Sequence, residues 1–269
     1  MIVNAFGPLS VVTPSGIIRG GGFGGAQPRG VLEMLLLARG NTMSKEQLAE
    51  ALWGDEPPRN SNGAVEQAVS TLRRRLFSSA ATARMMLQTE PNAYRLATEH
   101  LDIDLVRFEQ AWQRATLADG EEKYAALATA AACAREELLA DAPYAAWAVE
   151  ARERFRLQST RAHLMLASWH LVHGRPERAL HHCDDAVRLV PLSDEAHRLI
   201  MIADAMLGHA DLARDTFRRF TATLHTTLGA TPSSDTAAVA EAIGRGEPNR
   251  SLLELGCPHV ALPRIIVAA

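Results

Sequence analysis

An internal repeat constrains this chain more than any other feature. Shifted by 34 residues, the second half brings Ala162 onto Ala196, His163 onto His197, Leu166 onto Ile200, Gly174 onto Gly208 and Ala179 onto Ala213. That period is the tetratricopeptide length, a helix-turn-helix unit whose small residues let paired helices approach closely. Two clear copies are fewer than a solenoid needs, so helices around residues 124–139 and 147–157 are expected to complete the stack. From Asp104, a residue suited to cap a helix, to about residue 244 the chain is rich in Ala, Leu, Arg and Glu with helical period.

The first hundred residues follow a different pattern. Ile2, Val3, Phe6, Leu9, Val11, Val12, Ile17 and Ile18 are rich in β-branched types and are punctuated by Gly7-Pro8 and Pro14-Ser15-Gly16, which reads as short strands and turns. A glycine loop, 20–25, leads to a helix carrying Val31, Leu32, Leu35 and Leu36, closed by Gly40. Ser44-Lys45-Glu46-Gln47 is a capping box opening a second helix with Leu48, Leu52 and Trp53. A third helix is expected over 61–77. Residues 85–89 and 94–97 then read as two strands around Glu90-Pro91-Asn92-Ala93. Strands, three helices and a two-stranded ribbon make a winged helix-turn-helix with an added sheet. The expected fold is therefore mainly α. Residues 1–100 form an α+β winged-helix DNA-binding domain and 101–244 an all-α tetratricopeptide-like domain. A C-terminal extension, 245–269, carries no functional assignment; its end, Ile265 to Ala269, is open to a terminal strand or a mobile segment.

Charge is distributed to match. The net charge is −3, yet residues 1–100 carry ten Lys/Arg against eight Asp/Glu, leaving 18 against 23 for the rest. A phosphate-facing surface is expected only in the first hundred residues. No apolar run reaches the roughly 18 residues of a membrane helix, and the first residues lack a signal-peptide pattern. Cys133, Cys183 and Cys257 are odd in number and far apart, which suits reduced thiols in a cytoplasmic protein.

At 100° per residue, Val65, Val69, Leu72 and Leu76 form the buried stripe of the third helix. Gly63, Gln67, Ser70 and Arg74 lie opposite, bordered by Glu66, Thr71 and Arg73. Such a face suits a recognition helix. Gln67 matches the N6 and N7 edge of adenine, and Ser70 and Thr71 reach bases or phosphates. Arg73 and Arg74 neutralise the DNA backbone.

These segments resemble the Streptomyces antibiotic regulatory protein family. FGPLSV, LAEALWGDEPPRN, AVSTLRRRL and YRLA resemble its OmpR-type winged helix. DLVRFE, WAVEARERFRL, HGRPERAL, PLSDEAHRLIM and LGATPS resemble its bacterial transcriptional activator domain. The resemblance implies a cytoplasmic regulator, no enzyme, that binds repeated sites in double-stranded promoter DNA and recruits RNA polymerase. It also implies activation of secondary-metabolite gene clusters. The helical domain would present a face to polymerase, to a second protomer in a homodimer, or to an unknown ligand.

This chain departs from the family at the wing. The usual pattern is T-R-P-P-G-Y; here Glu90 stands for the arginine and Ala93 for the glycine, and the carboxylate repels phosphate. DNA binding is then expected to be weaker, to lean on Arg95 or to need a partner. The alternative is a protein-interaction adaptor whose degenerate winged helix binds DNA weakly or not at all.

Two further patterns resolve to packing. Residues 20–25 match G-x-G-x-x-G, but no alternating strand-helix order follows, so no dinucleotide cofactor is expected. His181-His182-Cys183-Asp184-Asp185, with His170 and His173 near, suggests a metal; neighbouring helical residues point about 100° apart and cannot all converge. Cys183 aligns with Phe217 as core, and no metal is assigned.

Overall fold

The structure is a computed structural model describing residues 1–257 and residue 260. The chain divides into two compact units, one of residues 1–110 and 132–155, the other of residues 111–131 and from 156 on.

The first unit begins with strands β1 (Ile2–Asn4), β2 (Ser10–Thr13) and β3 (Gly16–Arg19). They form an antiparallel meander in which Val3 faces Val11. Val3 and Val11 are buried while Ile17 is exposed, so one face of the sheet meets the core. The glycine run makes one 3-10 turn, Gly20–Phe23, rather than the expected free loop, because the Phe23 side chain is fully buried. Gly24 (φ +94) follows; a Cβ there would lie 2.4 Å from Thr71 Cγ2, so this close approach requires glycine.

Helix α1 (Ala26–Leu37) buries Val31, Leu32, Met34, Leu35 and Leu36. Strand β4 (Met43–Ser44) then feeds α2 (Lys45–Trp53). The capping box forms as the sequence predicts: Gln47 N–H donates to Ser44 Oγ at 3.1 Å, and Ser44 N–H donates to Gln47 Oε1 at 2.9 Å. Helix α3 (Ser61–Leu76) is capped by Asn60, whose side-chain oxygen accepts from Gly63 N–H at 2.9 Å. A short helix, α4 (Ala80–Met86), capped by Ser79, occupies residues where a strand was expected to begin. Strand β5 (Leu87–Glu90) starts two residues later and pairs antiparallel with β6 (Ala93–Leu96). Strand β4 adds along β6, with Met43 opposite Tyr94. Strand β7 (Asp102–Ile103) runs parallel to β1, completing a four-stranded sheet of order β3-β2-β1-β7.

Helix α5 (Asp104–Leu117) starts at a buried carboxylate. Asp104 accepts from the backbone N–H groups of Ala5, Phe6 and Leu105 at 2.7–3.0 Å, which ties the end of β1 to the helix start. Residues 132–155 complete this unit. Phe6 bridges Leu138, and Leu139 N–H donates to Ala5 O at 2.8 Å. The buried Arg152 donates to the carbonyls of Leu138, Leu139, Ala142 and Pro143. Phe6, Phe108 and Phe155 meet ring against ring at 5.4–5.6 Å.

The second unit is helical. Residues from α6 (Gly120–Cys133) and α7 (Val149–Val172) lead into α8 (Pro176–Leu189), α9 (Asp194–Met206), α10 (Ala210–Leu228), α11 (Ser234–Gly244) and α12 (Asn249–Gly256). The repeat is visible in the packing. Ala162, Ala179, Ala196 and Ala213 are all buried. Gly174 (φ +67) and Gly208 (φ +83) hold the left-handed positions just after α7 and α9. Cys183 lies in the core with Phe217 packed against it, as expected. The LGATPS segment is a helix junction: Gly229 stops α10, and Ser233 caps α11. Part of the extension is ordered core, because Leu252, Leu253 and Cys257 join the same cluster. Ile265 to Ala269 lie outside the described residues.

Candidate nucleic-acid interface

Helix α3 separates two faces as its sequence requires. Val65, Ala68, Val69, Leu72 and Leu76 are buried, and Gln67, Ser70, Arg74 and Arg75 are exposed. Burying the apolar stripe against α1 and α2 fixes which side faces outward. The arginines also sit at the helix C-terminus, where the backbone dipole favours positive charge. Across α2 and α3, Lys45 pairs with Glu66, and this contact raises the lysine pKa.

The six sequence-selected residues do not share one role. Gln67, Ser70 and Arg74 are exposed on the outer face. Thr71 is half-buried, its methyl close to Gly24, and its hydroxyl accepts from Arg74 at 3.4 Å. Arg73 turns toward the ribbon: its Nε donates to Leu87 O at 3.1 Å and its Nη2 to Thr89 Oγ1 at 2.8 Å. Burial pulls its pKa below the ordinary guanidinium value. Arg95 is committed as well, donating to Gly40 O at 2.7 Å, Gln88 Oε1 at 3.1 Å and Glu99 at 3.0 Å. Both guanidinium groups thus hold the ribbon in place. Helical phase could not show this, because it does not tell where a long side chain reaches.

Arg75 belongs to the same arginine run as the phosphate-facing pair, whereas Arg84 and Arg59 carried no assignment from sequence. All three are exposed, and among the described residues no carboxylate lies within ion-pair distance of them or of Arg74. In the run Arg73-Arg74-Arg75 the third arginine is exposed like the second.

The turn between β5 and β6 resolves the Ala93 substitution. Glu90 pairs with Ala93, so the turn is Pro91-Asn92, and the positive φ falls on Asn92 (+56). Asparagine tolerates that region, so no glycine is needed at position 93. Asn92 also donates to Glu46 at 2.7 and 2.9 Å, and its carbonyl accepts from Lys45 N–H at 2.9 Å. The wing tip is therefore fastened to the start of α2. Glu90 remains an exposed carboxylate.

The glycine fingerprint does not open a nucleotide fold. The strand before it, β3, belongs to an antiparallel meander and not to a βαβ unit. No helix among the described residues is long and apolar enough to cross a membrane.

Comparison with known proteins agrees with this architecture. The bacterial transcriptional activator domain matches residues 103–244, more than half of the chain. The chain belongs to that family. The C-terminal domain of transcriptional regulatory proteins matches residues 26–96, which include α1 to β6. Together they form the architecture of the Streptomyces antibiotic regulatory proteins, so the chain is a transcriptional regulator of that type. The transcriptional regulatory protein MoaR1 of Mycobacterium tuberculosis is 25% identical over 235 residues, covering 86% of this chain and 76% of that protein. MoaR1 of Mycobacterium bovis matches to the same extent. Mycobacterium tuberculosis EmbR, solved in complex with a low-affinity phosphopeptide, has the same fold. Its TM-score is 0.74 at 22% identity, over 95% of this chain and 69% of that one.

Proposed function

We propose that this regulator is a sequence-specific DNA-binding protein that inserts α3 into the major groove of promoter DNA. The observation that carries this is the outer face of α3, where Gln67, Ser70 and Arg74 are exposed while the opposite stripe is buried. Gln67 and Ser70 read base edges, with Thr71 at the border of the contact. Arg74 and Arg75 meet phosphates. Arg73 and Arg95, first assigned to the DNA backbone, act instead by holding the ribbon behind α3.

The winged helix of about residues 1–100 binds DNA, and the activator domain over 101–244 recruits RNA polymerase. The chain acts in the cytoplasm as an activator, pathway-specific for secondary metabolism, with no catalytic role. Homodimers on repeated sites suit this family pattern.

Fluorescence anisotropy with duplex DNA from upstream of its own gene cluster, against a scrambled duplex, tests the proposal. Tighter, salt-sensitive binding to the upstream duplex is expected. Equal or absent binding by folded protein would favour the adaptor, whose support is the exposed Glu90 carboxylate on the wing.

A further inference from the structure

Helices α7 and α8 bring together three side chains that a DNA-binding role does not use. His163 comes from α7. His182 and Asp185, three residues apart, come from one face of α8. His163 Nδ1 lies 3.2 Å from His182 Nδ1 and 3.7 Å from Asp185 Oδ2. All three ligand atoms lie within 4.8 Å of one another. Ligands about 2.0–2.2 Å from a tetrahedral ion stand roughly 3.3 Å apart, so little movement is needed to receive one.

The surroundings fit the same purpose. His163 is 1% exposed and Asp185 7% exposed, while His182 is half-buried and leaves a way in. Asp185 Oδ1 accepts from Arg188 at 3.0 Å, which orients the carboxylate and leaves Oδ2 toward the imidazoles. His170, 8% exposed, stacks nearly parallel on His182 at 5.4 Å, and its Nδ1 has no hydrogen-bond partner. Two imidazoles and a carboxylate suit zinc, nickel or cobalt rather than calcium or magnesium. Cys183 takes no part, since its side chain is buried in the apolar core and not among the three converging groups.

The second repeat supplies an internal comparison. The positions 34 residues on are His197, Thr216 and Arg219, which include no second imidazole and no carboxylate. There His197 stacks on Phe220, and all three line an open groove. The repeat fold is thus built without such a trio, and the convergence in the first copy is particular to it.

We propose that His163, His182 and Asp185 bind one first-row divalent metal ion, with zinc the reference occupant, joining α7 to α8. The sequence pattern of adjacent His, Cys and Asp residues hid this site. The ligands are one residue per turn of α8 plus a histidine from the preceding helix.

The test uses the full-length chain, stripped with a chelator and titrated with cobalt and then zinc. One equivalent is expected to bind, with visible cobalt bands and no thiolate charge transfer. Zinc raises the melting temperature of the wild type. His182→Ala weakens binding about 100-fold or more, while His181→Ala, on the same helix and exposed, leaves it unchanged. Asp185→Asn provides a second ligand change, and circular dichroism checks that each variant is folded. No bound equivalent, a thiolate band, or wild-type affinity in both ligand variants would overturn the proposal.

Discussion

Arg73 and Arg74 are neighbours in sequence whose side chains go different ways. Arg73 satisfies Leu87 O and Thr89 Oγ1, whereas Arg74 reaches outward. Arg73→Ala is therefore expected to cost about 1–2 kcal/mol in urea unfolding, because a charged donor is lost and its acceptors are stranded. Arg74→Ala should change stability by less than about 0.5 kcal/mol and weaken DNA binding. The helical period placed the buried stripe correctly, since burial depends on phase alone. It could not separate the two arginines, because the partner of Arg73 lies 14 residues away on a strand. Glu33 is a second residue whose role only packing reveals. It is 1% exposed beside Arg29, and burial raises its pKa to about 7. The folded state then holds this proton more tightly than the unfolded chain. Stability from this group is full below pH 4.5 and is lost as pH rises through about 7. Glu33→Gln should flatten the fall in stability between those values; an unchanged pH profile would show that the carboxyl is ionised in the fold.

Elements defined by local signals were legible. The capping box of α2 spans four residues and formed as written; Ser44→Ala should cost about 1 kcal/mol in chemical denaturation. The stops at Gly174 and Gly208 were legible for the same reason. Helix α4 was not, because Met85 and Met86 match a buried strand as well as a helix end, and the Ser79 cap lies six residues earlier. The wing turn was half legible. Its position was clear, but the positive φ belongs to Asn92 and not to residue 93. Asn92→Val should destabilise the hairpin by about 1–2 kcal/mol, because a β-branched residue resists that region. Asn92→Gly should cost less, keeping the backbone and losing only the Glu46 contacts. Similar losses for the two variants would show that the backbone angle is not the constraint.

For the molecule as a whole, composition placed the helical half correctly. It gave no sign that residues 132–155 pack with the first hundred. That association rests on Phe6, Leu138 and the carbonyls held by Arg152, all long-range partners with no local signature. A fragment of residues 1–110 lacks this cover and is expected to unfold at lower denaturant than the same region of the intact chain, as read by hydrogen exchange. Charge at this scale points to α3 as well, since the net surplus of positive groups is confined to residues 1–100. The central claim, that this face of α3 meets DNA, has a direct measurement: the slope of log affinity against log salt for wild type, the double variant Arg74→Ala with Arg75→Ala, and Arg73→Ala. Two lost phosphate contacts should flatten the slope by about 2 in the double variant, with the slope for Arg73→Ala near wild type. An undiminished slope in the double variant would show that DNA, if bound, is held by another surface.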